Sequence, residues 1–174
     1  MAHHFGRIMQ MGYVVADLDA AARHWSQVLG VGPFFVADAI PYETVHFRGR
    51  PIALSTRVAI AYHGDMQIEL IQQVSGDPST FTEFVQRRGG GLHHVCALTD
   101  DLGGDVAAWA ARGVPVLQGG RTAVGIGFAY LDTGGGFDGA LLELVEGRRG
   151  LLRYFETIRK AADEWDGREP LRMA

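Results

Sequence analysis

The sequence is poor in cysteine, has no long apolar run and carries no excess of positive charge, and each shortage removes a class of protein. The lone Cys96 cannot form an internal disulfide, and thiolate zinc sites need several cysteines. Any metal must therefore sit on histidine, aspartate, glutamate or an amide oxygen. A membrane-spanning helix needs about 18 or more consecutive apolar residues, and no stretch comes near that. Met1 to Arg7 also lacks the basic start and apolar stretch of a signal peptide, so a cytoplasmic protein is expected. A net charge of −4 gives neither nucleic acid nor an anionic membrane anything to gain. Small molecules are the expected partners, with no nucleic acid and no membrane. The His3-His4 pair lies in a terminal segment of the kind that usually frays, and no site is assigned to it.

What the chain does have is apolar content and an internal repeat. With 47% hydrophobic residues over 174 positions, one compact domain spanning 1–174 is expected. Gln10-Met-Gly-Tyr-Val-Val-Ala-Asp17-Leu18 can be laid on His94-Val-Cys-Ala-Leu-Thr-Asp-Asp101-Leu102 without a gap, and Trp25 and Trp109 each lie eight residues beyond their aspartate. Each copy opens with an apolar stretch, Met9 to Val15 and Leu92 to Thr99, that predicts a buried strand. Asp17 and Asp101 are suitable caps for helices over Leu18 to Leu29 and Leu102 to Arg112, which Gly30 and Gly113 stop.

Period two then takes over. A strand from Pro33 is followed by Thr56 to His63 and Met66 to Gln72, a hairpin about Gly64-Asp65. The second copy offers Val114 to Gln118, Phe128 to Thr133 and Ala140 to Val145, with Gly134 to Gly139 as a longer turn. Ala61-Tyr62 is set against Ala129-Tyr130, and Glu69-Leu70 against Glu143-Leu144. The expected architecture is α+β, with one βαβββ-like module over about 7–88 and a second over about 91–147, joined by an Arg87 to Gly91 linker. Leu151, Phe155, Ile158, Ala162 and Trp165 mark a helix over about 149–166 whose apolar stripe either covers its own domain or meets a second subunit.

Each half places two polar residues in otherwise apolar strands: Gln10 and Glu69 in the first, His94 and Glu143 in the second. Buried polar groups are costly without partners, so four at repeat-equivalent positions call for a common one. If the modules pack with pseudo-twofold symmetry, one divalent cation would satisfy two carboxylates, an imidazole and an amide oxygen together. Strand alternation turns His93 to the opposite face and leaves His94 in register with Gln10.

At these residues the chain resembles the vicinal oxygen chelate superfamily, which includes glyoxalase I, methylmalonyl-CoA epimerase, extradiol dioxygenases and bleomycin-resistance proteins. The resemblance covers about 7–147 and is carried by Gly12-Tyr-Val-Val-Ala-Asp17-Leu18, Leu29-Gly-Val-Gly-Pro33-Phe34, Met66-Gln-Ile-Glu69-Leu70, Gly91-Leu-His-His94-Val95 and Leu142-Glu143-Leu144. It points most to the glyoxalase and epimerase branch and implies paired βαβββ modules forming a curved sheet around a metal cavity. By position, Gln10, Glu69, His94 and Glu143 fall on that family's four ligand positions. Gln10 stands where epimerases commonly have histidine, although the Gln, Glu, His, Glu set also occurs among glyoxalases. It argues against an extradiol dioxygenase, which needs two histidines and one carboxylate on iron. The resemblance also implies a homodimer, with the site within one chain or shared between two.

A donor set of three oxygens and one nitrogen suits a divalent ion such as Zn, Ni, Co, Mn or Mg. The function expected is a metal-dependent isomerase, epimerase or lyase acting through an enolate on a small carbonyl or acyl compound, with Glu143 and Glu69 as proton-moving bases. The alternative is a protein that binds a small molecule without chemistry. Gly12, Val14, Cys96 and Leu98 share the ligands' strand face, so a small apolar pocket is expected, with Cys96 as a buried filler. Tyr42 to Arg50 reads as a loop that either closes over a substrate, with Arg48 or Arg50 holding an acidic group, or simply covers the surface.

Overall fold

The computed structural model describes residues 5–134 and 140–174. The His3-His4 pair and most of the expected glycine-rich turn lie outside the described residues. In chain order the elements are β1 (Ile8–Val14), α1 (Leu18–Leu29), β2 (Phe34–Ala37), β3 (Tyr42–Phe47), β4 (Arg50–Pro51), β5 (Leu54–His63), β6 (Met66–Gly76), α2 (Thr80–Arg88), β7 (Gly91–Thr99), α3 (Leu102–Ala110), β8 (Val116–Thr122), β9 (Gly127–Leu131), β10 (Leu141–Glu146), α4 (Arg149–Asp163) and β11 (Leu171–Met173). None of these helices is long and apolar enough to cross a membrane.

The strands form one mixed sheet in the order β11-β2-β5-β6-β1-β7-β10-β9-β8-β3-β4. Within it, β2-β5-β6-β1 and β7-β10-β9-β8 are the two expected modules, back to back across an antiparallel β1–β7 seam. The sheet curls. Tyr42 pairs with Thr122 of β8, yet its hydroxyl lies 2.9 Å from Thr56 Oγ1 on β5, seven strands away in the order. In a flat sheet those strands would be roughly 33 Å apart, so the contact requires the far modules to turn toward one another.

The helices follow their caps. Asp17 accepts a hydrogen bond from Ala20 N at 2.9 Å, and α1 then buries Leu18, Ala22 and Ser26, one stripe at i, i+4 and i+8, against the core of the first module. Asp101 caps α3 in the same way through Gly104 N at 3.0 Å, but that helix stops at Ala110 and fully buries no residue. Inside the curl, Ile158 of α4 joins Val58, Ile60, Phe128 and Tyr130 in a shared core. Of the two readings of its apolar stripe, α4 therefore takes the first and packs on its own chain.

Three expectations need correction. Arg87 and Arg88 do not belong to a linker but form the last turn of α2, where cations meet the helix's negative end, and Gly89 closes it at φ 74°. The Tyr42 to Arg50 segment is not a loop: β3 and β4 extend the sheet on β8, and Arg48 pairs with Glu83 at 2.8 Å. The match of Ala61-Tyr62 with Ala129-Tyr130 is out of register, because Ile60 sits opposite Glu69 as Tyr130 sits opposite Glu143.

Candidate metal centre

The four candidate residues stand on the four central strands. Gln10 is on β1, Glu69 on β6, His94 on β7 and Glu143 on β10, and all four strands belong to one chain. The register preserves the repeat. Glu69 lies opposite Gly12 of β1, and Glu143 lies opposite Cys96 of β7, the repeat-equivalent position. Across the seam Gln10 faces Cys96, while His94 faces Gly12. An alanine-like Cβ at Gly12 would stand only 1.9 Å from His94 Cε1, so the imidazole occupies the space a side chain would fill.

Two irregularities aim the donors. Between Ile8 and Gln10 the first strand advances two residues while β7 advances one, and between Gly12 and Tyr13 the extra residue is on β7. The inserted residues are Met9 and His93, each immediately before a candidate ligand and equivalent in the repeat. A bulge breaks strict alternation and re-aims the next side chain. The alternation argument that sent His93 to the opposite face therefore fails: His93 Nδ1 lies 3.1 Å from His94 Nδ1.

The donor atoms converge. His94 Nε2 is 3.3 Å from Glu69 Oε2 and 3.2 Å from Glu143 Oε2, and the three ligand atoms fall within 4.8 Å of one another. Donors held at right angles about 2.1 Å from a shared octahedral ion would be about 3 Å apart, so the spacing fits. Neither carboxylate contact has hydrogen-bond alignment, and His94 Nε2 and Gln10 Oε1 are both buried without a hydrogen-bond partner. Gln10 Nε2 donates to Gln67 Oε1, and Gln67 Nε2 donates to the Tyr62 hydroxyl at 3.0 Å, a strut that leaves the Gln10 oxygen unpaired. Two buried orphan atoms and two carboxylates make a donor set that could hold a cation.

The clustered charges shift the titration of the donors and of their neighbours. Burial alone would lower the His94 pKa, but Glu143 and Glu69 outweigh it and carry it up to about 9. Burial, reinforced by Glu143, raises the Glu69 carboxyl, although His94 draws it back. Burial and then the two carboxylates push the Cys96 thiol and the Tyr130 phenol upward, so both keep their protons. Tyr42 is likewise pushed up to about 12, mainly by burial. Tyr130 and Tyr42 line the same cavity as neutral hydroxyls. Nothing in their strand positions alone marked them, because apolar alternation accommodates tyrosine as readily as phenylalanine.

Behind His94 a second layer fixes its ring. His93 Nε2 lies 3.0 Å from Thr80 Oγ1 at the start of α2, and the Thr80 backbone N–H donates to Gln118 Oε1 at 3.1 Å. Phe81 and Phe84 pack against the His93 ring at 5.3 and 5.1 Å. Burial and the neighbouring His94 hold His93 neutral. With tautomers assigned from this network, His94 Nδ1–H donates to His93, whose Nε2–H donates to Thr80, leaving His94 Nε2 to face the carboxylates. Replacing His93 by phenylalanine keeps a ring between Phe81 and Phe84 but removes the acceptor. The expected result, read by competition with a chelator, is divalent-ion affinity weaker by about 10- to 100-fold. Unchanged affinity would make His93 a packing residue only.

The glyoxalase/bleomycin resistance protein/dioxygenase superfamily matches residues 9–130, a span that includes Gln10, Glu69 and His94. The chain belongs to this superfamily. Solved structures share its fold. Methylmalonyl-CoA epimerase from Mycobacterium tuberculosis is 20% identical, covering 84% of this chain and 91% of its own, with a TM-score of 0.56. A Streptomyces coelicolor methylmalonyl-CoA epimerase variant in complex with 2-nitronate-propionyl-CoA is 21% identical over 83% of this chain and 96% of its own, at 0.55. A hypothetical protein from Bacillus halodurans reaches 0.58 at 19% identity, over 82% and 95%. Comparison with curated proteins gave no match. At these identities the structural likeness establishes the glyoxalase-type fold, while Glu143 and α4 lie beyond the span matched by the superfamily.

Proposed function

We propose that this chain is a metal-dependent isomerase, epimerase or lyase that moves a proton on the carbon beside a carbonyl of a small molecule. The observation that carries the reading is the convergence of His94 Nε2 and two carboxylates at 3.2–3.3 Å, with the Gln10 oxygen buried and unpaired beside the same seam. Gln10, Glu69, His94 and Glu143 would hold one divalent ion, Zn, Ni, Co, Mn or Mg. Such an ion would stabilise negative charge developing on a substrate oxygen. Glu69 and Glu143 come from strands on opposite sides of the seam, so a substrate between them meets a carboxylate on either hand. Desolvation raises the proton affinity of Glu69, which strengthens it as a proton acceptor. The protonated hydroxyls of Tyr130 and Tyr42 can hydrogen-bond substrate oxygens. The epimerase neighbours support proton transfer beside a carbonyl as the reaction class; the Gln10 position favours the glyoxalase side of the same branch.

The direct test is divalent-ion binding to the purified chain, with the expected stoichiometry of one per chain. In the metal-free protein His94 holds its proton up to about 9, and an ion taking Nε2 must displace it. Affinity should therefore strengthen about tenfold per pH unit from neutrality to that pKa and level off above it, losing strength as acid re-protonates the ring. Calorimetry in two buffers of different ionisation enthalpy would count the released proton. A chain that neither retains nor takes up a divalent ion would remove the enzyme reading. An ion-loaded chain that exchanges no substrate C–H with deuterated water across a panel of carbonyl compounds would turn it toward a binding protein.

A further inference from the structure

Above the donors lies a cavity of about 260 Å³. Its floor holds Gln10, Glu69 and Glu143, and its strand walls are mostly apolar, with Ile60, Leu98 and Phe128 beside the hydroxyl-bearing Tyr42, Thr122 and Tyr130. The remaining wall is α4, which supplies Leu151, Tyr154 and Phe155. Among the described residues lining it, the two glutamates alone carry charge, and no lysine or arginine reaches in. The arginines that the sequence offered for an acidic group are elsewhere: Arg48 pairs with Glu83 and stacks on Phe47, and Arg50 lies on the exposed β4. The rim is apolar as well, since Val124 lines the cavity while remaining 76% exposed.

We infer that the substrate has an uncharged apolar body about the size of one substituted ring, attached to the oxygens that reach the donors, and that α4 selects it. This rests on the metal reading above. Two carboxylates neutralise one divalent ion, so a second anionic group on the substrate would enter without a counter-charge. An apolar cavity of about 150 Å³ holds benzene, which makes a ring with one or two substituents the natural occupant here. The strand walls come mostly from the span matched by the superfamily, whereas α4 begins at Arg149, beyond it. The helix thus places a wall from outside the matched span directly against the substrate body.

The test uses the full chain loaded with cobalt and three hydroxamates sharing one chelating head: acetohydroxamate, benzohydroxamate and 4-carboxybenzohydroxamate. Binding is read by calorimetry and by the visible cobalt spectrum. Burying the ring should make benzohydroxamate bind about 50-fold more tightly than acetohydroxamate, and the distal carboxylate should reverse most of that gain. Phe155→Ala and Leu151→Ala should each narrow the ratio between the two uncharged-body probes by about five- to tenfold. Equal binding of acetohydroxamate and benzohydroxamate, or tighter binding of the carboxylated probe, would overturn the inference while leaving the metal site standing. A chain that retains no cobalt and binds no hydroxamate would overturn both. The wild-type probe series decides the matter even if a variant fails to fold.

Discussion

Alanine at position 12 should strip the chain of its divalent-ion affinity by at least about 100-fold, more than loss of an outer partner costs. The added Cβ would fall 1.9 Å from His94 Cε1 and 2.1 Å from Nε2, and those atoms cannot share that space. Nor can the imidazole step aside, because His93 and Tyr130 hold it from two sides at ring separations of 5.4 and 5.1 Å. Overpacking of this kind also costs about 1–3 kcal/mol of stability. Metal affinity and thermal unfolding of the metal-free protein should therefore be measured together. A well-folded Gly12→Ala chain with wild-type affinity would show that His94 is not a ligand.

The second large effect is expected at Glu143. Glutamine there keeps an oxygen near the donors while removing basicity, so proton transfer should fall about 10²- to 10⁴-fold, with a much smaller loss of bound ion. Glu69→Gln separates the roles: comparable losses at both positions mean two bases, and a loss at Glu143 alone leaves Glu69 a ligand. Exchange of a substrate C–H with deuterated water reports the step without assuming the product. Wild-type exchange in Glu143→Gln, with the ion still bound, would remove Glu143 as a base.

The four candidate positions were legible in the sequence because a polar residue inside an apolar strand is conspicuous and the repeat supplied its counterpart; the structure draws Glu69, His94 and Glu143 together. The central strands and α1 were legible for a related reason: each carries its own period, and Asp17 and Gly30 mark the helix ends. The bulges were not, since an inserted residue leaves composition and hydrophobicity untouched; Met9 and His93 read as ordinary strand residues. Short α2 escaped notice because only Thr80 and Phe81 of its nine residues are buried, too little for a helical stripe to show. The β3–β4 hairpin carries exposed, charged residues such as Glu43 and Arg50. Its longer strand, β3, is defined by pairing with β8, a partner distant in sequence. That α4 walls the cavity follows from the curl of the sheet, which no local pattern records.

The paired bulges at Met9 and His93 also limit how such a protein can diversify. A bulge adds bend and twist to its strand as well as turning the next side chain, so the same two insertions shape the hollow and point the donors. Deleting either would alter concavity and the direction of the candidate donors at one stroke. Novelty is thereby channelled to side chains that touch the hollow without building the seam, such as Leu151 and Phe155 of α4.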